Sequence, residues 1–383
     1  MVLSAQRRVY SQTSDDQLED IPAAVPVGRA FAFDAQRDLS IRGRYLRWMA
    51  LPDLWVTWLL WAVPMGLRMI RQHKPALIWS TYPIVTAHLI GFVLHRLTGI
   101  PWVADFRDPM VEIDPRTQGR RPADRVGWRV WNAIERLTVK HCARAVFATL
   151  GSQRIYQDRY SEIPNDRWSV ISNGYDEEQF SLAERDYRAQ ERDPKQIVLL
   201  HSGVLYGGTD RDPSGLFGAL SKLKKSGQIT ASGMKVILRA SGYEDHYRTL
   251  IRDAEIEDLV FLEPQIPYRA ALAEMLGADG LLIFQGYTSN PAVPAKLYEY
   301  FRARRPILAL VDGAGDTAGT LRDNGVGLIV AMDHVDDIAD GVVEFIKQIT
   351  ERKGPVLDLT AAKRYSRRAQ TQQLASLLDA IVQ

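Results

Sequence analysis

The sequence predicts an α/β protein of two consecutive doubly wound, Rossmann-like units. Three observations predict it. Short apolar runs alternate with helical patterns almost throughout, which is the pattern of parallel sheets covered on both faces by helices. The 383 residues are enough for two domains at roughly 100 to 200 residues each. A single charged stretch poor in large apolar groups, Ser181 to Gln196 (SLAERDYRAQERDPKQ), divides the alternation in two and reads as a linker.

The expected domains are thus 1–180, a linker 181–196, and 197–360, with a terminal helix 361–383 packing back towards the first domain. The first series of strands is AFAF (Ala30 to Phe33), ALIWS (Ala76 to Ser80), PWVADF (Pro101 to Phe106), AVFATL (Ala145 to Leu150) and WSVIS (Trp168 to Ser172). The second is IVLLHSG (Ile197 to Gly203), MKVILRASG (Met234 to Gly242), LVFLEP (Leu259 to Pro264), GLLIFQG (Gly280 to Gly286), PILALV (Pro306 to Val311) and GLIVAM (Gly327 to Met332). The last helix carries Leu374, Leu377, Leu378 and Ile381 on one side and many basic residues on the other, so it should pack. Two such units leave a cleft, and ligands of open parallel sheets lie beyond the carboxyl ends of the strands.

Composition removes several classes of function. The 48 basic and 46 acidic side chains leave a formal charge of +2, which gives no global attraction to nucleic acid, and no basic patch is interleaved with stacking aromatics. Cys142 is the only cysteine, so a disulfide framework is excluded and a structural zinc site is not expected. The start MVLSAQRRVY has no long apolar stretch of the kind an export signal needs. These features predict a cytoplasmic protein.

The segment Trp48 to Leu67 is apolar, but Asp53, Pro52 and Pro64 interrupt it, so it reads as an amphipathic aromatic helix rather than a membrane span. Trp48, Trp55, Trp58 and Trp61 are spaced to gather on one side of it. Arg42, Arg44 and Arg47 precede it, and Arg116, Arg120, Arg121, Arg125 and Arg129 follow further on. Basic charge beside interfacial tryptophans would suit peripheral contact with an anionic inner membrane; packing of the tryptophans against the first sheet is the competing reading.

The most informative stretch is PAVPAKLYEYFRARRPILAL, Pro291 to Leu310. A helix opens there after a proline-rich loop and sets Lys296 and Glu299 three residues apart on one face. A cation can meet phosphate while the carboxylate accepts from vicinal ribose hydroxyls, and the helix N-terminus adds partial positive charge. A salt bridge between the two on a solvated face is the alternative.

With PALIWSTYP (Pro75 to Pro83), GIPWVADFRDPM (Gly99 to Met110), SNGYDEEQF (Ser172 to Phe180) and HSGVLYGGTDRDP (His201 to Pro213), this stretch resembles the GT-B fold glycosyltransferases, in particular the family 4 type. The agreement runs in the family order from Pro75 onward. The resemblance implies two Rossmann-like domains facing across a cleft and transfer of a sugar from a nucleotide diphosphate donor to a glycan or lipid-linked acceptor. It implies no resident cofactor and no metal. It puts the donor on Ser202, Gly203, Arg211, Pro294, Ala295, Lys296 and Glu299, where Lys296 and Arg211 can stabilise the departing diphosphate. Arg211 could equally be solvated surface, neutralised by Asp210 and Asp212, and Gly207 and Gly208 should loosen its loop.

On the acceptor side the resemblance points to Asp105, Arg107 and Asp108, with Asp108 the candidate for orienting or deprotonating the attacking hydroxyl. An Asp–Arg ion pair of purely structural value weighs equally. His88 reads as a core histidine. Asn173 and Gly174 resemble the family's interdomain turn, where a positive φ would suit both.

Two departures stand out. The earlier of the family's two glutamates falls on Pro291, so donor-sugar contacts should come from the backbone of Ser289 to Ala295. MVLSA resembles the family's second strand, which implies a start about thirty residues downstream of the family's own. Loss of a central strand would remove several side chains at about 1.5 to 3 kcal/mol each, against a net stability of roughly 5 to 15 kcal/mol. Alternatives to a transferase are a catalytically silent module that binds nucleotide sugar or a partner enzyme, and an epimerase of the same fold.

Overall fold

A computed structural model of the chain describes residues 1–10, 21–42, 44–111, 124–186, 193, 195–206 and 210–382. The expectations for Arg116, Arg120, Arg121, Gly207 and Gly208 fall outside them. Two compact units are present: Met1–Ile171 with Ala375–Gln383, and Ser172–Leu374.

The first unit holds strands β1 (Val2–Ala5), β2 (Val27–Ala30), β3 (Ile78–Thr81), β4 (Trp102–Arg107), β5 (Arg144–Phe147) and β6 (Trp168–Val170). Its helices are α1 (Ala35–Asp38), α2 (Trp58–His73), α3 (Val85–Thr98), α4 (Arg125–His141) and α5 (Leu150–Arg159). Strands β3 to β6 form a parallel sheet in chain order, and β1 and β2 pair in parallel as a separate sheet. The expected run at Ala30 to Phe33 pairs earlier, over Val27–Ala30. The phenylalanines beyond it leave the ladder to pack edge-on against Trp61 and each other.

The aromatic segment is not one helix. A 3-10 turn spans Arg47–Ala50, and α2 begins only at Trp58. Asp53 explains the break: its carboxylate accepts from Trp55 N, Thr86 N and Thr86 Oγ1 at 3.0, 2.8 and 2.9 Å, closing the start of α3 instead of continuing a helix. The four tryptophans therefore do not share a face. No helix among the described residues is long and apolar enough to cross a membrane.

The second unit contains α6 (Glu177–Asp186), β7 (Ile197–Ser202), α7 (Ser214–Lys225), β8 (Met234–Arg239), α8 (Glu244–Asp253), β9 (Val260–Glu263), α9 (Tyr268–Gly277) and β10 (Gly280–Gln285). It continues through α10 (Lys296–Ala303), β11 (Ile307–Val311), α11 (Asp316–Asp323), β12 (Leu328–Val330), α12 (Val335–Thr350), α13 (Leu359–Ala362) and the first half of α14 (Arg367–Val382), whose residues from Ala375 belong to the first unit. The parallel sheet has the order β12-β11-β10-β7-β8-β9. Alternate residues of β10 enter opposite cores: Leu281 and Ile283 pack on one face, Leu282 and Phe284 on the other. That two-sided burial is the physical content of double winding.

The charged stretch does not separate the two units as composition suggests: both its ends lie in the second unit. Its first residues end α6, which belongs to the second unit: Phe180 and Ala183 are fully buried there. Arg302, itself nearly buried, holds Glu177 at 2.7 and 2.8 Å and Glu184 at 2.8 Å. The boundary lies at Ile171/Ser172. Asn173 and Gly174 do not have positive φ; Gly174 is required because a Cβ there would stand 2.5 Å from the Tyr365 carbonyl oxygen. On α14 the half-buried side includes Leu374, Leu377, Leu378 and Ile381.

Candidate functional site

Strand order in the second unit reverses between β7 and β10, since β8 and β9 extend to one side of β7 and β10 to β12 to the other. Such a switch point opens the sheet for a ligand at the carboxyl ends. Here β7 and β10 pair only at Leu199↔Gly280 and Leu200↔Leu281. Beyond them the strands are joined by side chains. His201 Nδ1 lies 3.0 Å from the Leu282 carbonyl, and the Tyr300 hydroxyl accepts from Ser202 N and donates to the same carbonyl, both at 3.2 Å.

Gly203 follows with φ +119°, a conformation that favours glycine. A Cβ at that position would stand 2.7 Å from Lys296 Nζ, so the missing side chain is what lets the amine lie over the β7 turn. Lys296 Nζ is 3.1 Å from His201 Nε2. Burial, reinforced by repulsion from Arg211, lowers Lys296 to about 7. Burial, with the positive Lys296 second, pushes His201 well below its ordinary range, so the ring stays neutral.

Arg211 Nε donates to Gln285 Oε1 at 3.2 Å, and its guanidinium lies 5.3 Å from the centre of the Tyr206 ring. Gln285 is turned that way because its amide nitrogen donates to the Ser289 and Ala292 carbonyls at 3.0 and 3.4 Å. The neighbouring acids are engaged elsewhere. Asp210 accepts from Thr288 Oγ1 and from Ser289 N, and Asp212 accepts from Ser214 N at 3.0 Å at the start of α7. No ion pair to Arg211 occurs among the described residues.

Lys296 and Glu299 do not pair with each other either. Glu299 accepts from the Tyr268 hydroxyl at 2.8 Å, and burial raises its proton affinity while Tyr268 and Lys296 pull it back down. Pro294 is buried and Ala295 exposed at the helix entrance, where no side chain caps α10. Ser202, Gly203, Arg211, Lys296 and Glu299 thus gather around one strand end. Two cations that form no ion pair with a carboxylate among the described residues lie by a glycine turn, an arrangement chemically suited to an anion.

In the first unit Asp105 accepts from Thr81 Oγ1 at 2.8 Å and lies 3.7 Å from Arg107 Nε. Burial raises its proton affinity, while Thr81 and Arg107 lower it. The pairing of β4 with β5 slips between Asp105 and Arg107, and Arg107 is left-handed at φ +54°. Residues held in such conformations are strained and cluster at ligand sites. Asp108 is exposed. The turn after it is anchored from below: Met110 N donates to the Tyr156 hydroxyl at 2.9 Å and Val111 N to Glu135 at 3.0 Å. Glu135, fully buried, also accepts from Tyr156 and Tyr160 hydroxyls at 2.6 and 2.8 Å and pairs with Arg159. His88 is fully buried, 2.7 Å from Ser80 Oγ, and burial drops it to about 3. No cluster of acidic, histidine or cysteine side chains suited to a metal ion occurs among the described residues.

Residues 13–174 match the family model described as glycosyl transferase 4-like domain. Over those residues the chain is similar to glycosyl transferase 4-like domains. Solved structures assign its fold. Anabaena HepE in complex with UDP-glucose aligns at 14% identity and a TM-score of 0.62, over 99% of this chain and 99% of that one. Sucrose-phosphate synthase from Thermosynechococcus elongatus aligns at 12% and 0.60, over 99% and 98%. The UDP-forming trehalose-phosphate synthase from Burkholderia xenovorans aligns at 10% and 0.60, over 89% and 81%. These likenesses give the GT-B fold of two Rossmann-like domains. No curated protein matches the sequence.

Sequence reasoning missed the residues that hold the candidate site in shape: His201, Tyr268, Gln285 and Tyr300 around the cations, and Glu135, Tyr156, Arg159 and Tyr160 under the turn. Some left a trace. Gln285 is a polar residue closing an apolar strand, and Glu135 interrupts the apolar face of α4. Tyr268 left none, because its partner Glu299 is 31 residues away.

Proposed function

We propose that the protein is a glycosyltransferase that moves a sugar from a nucleotide diphosphate donor to a glycan or lipid-linked acceptor, with protein cations rather than a metal stabilising the leaving diphosphate. The carrying observation is the pair Lys296 and Arg211 at the β7–β10 switch point, neither of which forms an ion pair with a carboxylate among the described residues. Each charge-assisted contact to the departing oxygens is worth several kcal/mol in a water-poor site. Glu299, desolvated and oriented by Tyr268, suits the ribose hydroxyls. The donor sugar would be held by the backbone of Ser289 to Ala295, since Pro291 offers no side-chain group.

The uridine nucleotide in a HepE complex of the same fold supports a UDP-sugar as the first donor to try. Asp108, exposed beside the strained Arg107, is the candidate base or orienter for the acceptor hydroxyl, with Asp105 and Arg107 fixing its turn. The test is nucleotide-sugar-dependent labelling of lipid and glycan extracts, followed by mass spectrometry, with Glu299→Ala and Asp108→Asn beside the wild type. Turnover that survives Glu299→Ala unchanged refutes the donor site.

A lipid-linked acceptor would place the enzyme at the cytoplasmic side of an anionic membrane. Support comes from the segment before α2 rather than from α2 itself. Ile41, Leu46 and Trp48 are 79%, 60% and 68% exposed, interleaved with Arg42, Arg44 and Arg47, whereas the Trp55 and Trp58 indole nitrogens are buried. Exposed apolar groups among arginines match a headgroup interface. Flotation with anionic vesicles should carry the protein upward; equal partitioning with neutral vesicles refutes membrane contact.

A further inference from the structure

The Leu282 carbonyl can only accept, so the imidazole of His201 facing it at 3.0 Å must carry its proton on Nδ1. That leaves the lone pair of Nε2 directed at Lys296 Nζ, 3.1 Å away. The ring cannot turn: it is 1% exposed, packs edge-on against Phe284 at 5.1 Å, and shares its carbonyl anchor with Tyr300. The charged and titratable groups around it are Lys296, Glu299 and Tyr300 from α10 and Arg211 from the loop before α7. From β10 come Gln285 and Phe284, which do not titrate.

We propose that His201 is a positioning residue for the donor diphosphate: a neutral acceptor, locked in one tautomer, that holds the Lys296 ammonium over Gly203 without cancelling its charge. A carboxylate at the same place would orient the amine equally well, but it would neutralise it and repel the phosphates. An apolar side chain would leave the amine unheld and less readily protonated. An imidazole kept unprotonated by burial, and by the cations beside it, meets both needs. This inference rests on the donor-site reading above.

The experiment is calorimetric titration with UDP between pH 5.5 and 9 for the wild type, His201→Phe and His201→Gln. The ammonium form of Lys296 binds the diphosphate, so wild-type affinity falls as pH rises through the pKa of the amine. Removing the acceptor destabilises the charged form, so in His201→Phe the fall moves to lower pH. At pH 7 the affinity drops about 10- to 100-fold, the scale of a hydrogen bond to a charged group. His201→Gln retains an acceptor oxygen and recovers most of it.

Equal affinities and equal pH profiles for wild type and His201→Phe overturn the role of His201 alone. A wild type that does not bind UDP overturns the donor-site reading and this role with it. One readout needs neither variant nor ligand: nitrogen NMR of the wild-type ring should show the neutral Nδ1–H tautomer from pH 5 to 8, and an Nε2–H tautomer refutes the proposal even if the variants fail to fold.

Discussion

Replacing Lys296 with methionine removes one amine and nearly nothing else, which makes it the sharpest test of a site built from cations outside any ion pair. Burial and Arg211 bring the amine from 10.5 to about 7. At about 1.4 kcal/mol per tenfold change in proton affinity, charging it inside the fold costs roughly 5 kcal/mol at most. Lys296 keeps partial solvent contact, so screening reduces the expected effect to about 2 kcal/mol. The unfolded chain holds this proton up to about pH 10.5 and the folded chain releases it near 7, so between those values the unfolded state binds more protons and stability rises with pH. The cost is complete below about pH 7. Lys296→Met should therefore stabilise the ligand-free second unit at pH 6, with the advantage shrinking towards pH 10, while UDP affinity falls about 10- to 100-fold. All nine tryptophans precede residue 172, so fluorescence follows the first unit, and amide hydrogen exchange in α10 is the assay for the second. A variant less stable than wild type at pH 6, or a difference that does not change with pH, refutes the account of Lys296 as a desolvated cation.

Gly203→Ala would force a Cβ to within 2.7 Å of Lys296 Nζ at a φ of +119°. It should cost about 1–3 kcal/mol of stability and weaken UDP binding in titration; unchanged affinity would move the phosphate site elsewhere. Glu135→Ala strips the partner from two tyrosine hydroxyls, an amide and Arg159 at a fully buried position. The first unit should lose about 3–5 kcal/mol in denaturant unfolding followed by tryptophan fluorescence. Arg302→Met removes the fork that holds Glu177 and Glu184. Because both glutamates are half exposed, about 2 kcal/mol is expected, read as faster hydrogen exchange in α6 with β7 unaffected.

Sequence alone determined the alternation of elements, the strand positions to within a few residues, the two-unit organisation and the cation at the start of α10. These follow from local signals: apolar runs too short for helices, glycine and proline punctuation, and the spacing of Lys296 and Glu299. The tertiary structure decided what those signals leave open. Asp53 ends the aromatic segment by bonding Thr86, 33 residues away, and Phe180 draws the charged stretch into a core that composition hides. Lys296 meets His201 and Glu299 meets Tyr268, although the two lie one turn apart and would be read as each other's partners. Each of these outcomes depends on which buried polar group is nearest in space, and chain spacing does not encode that distance.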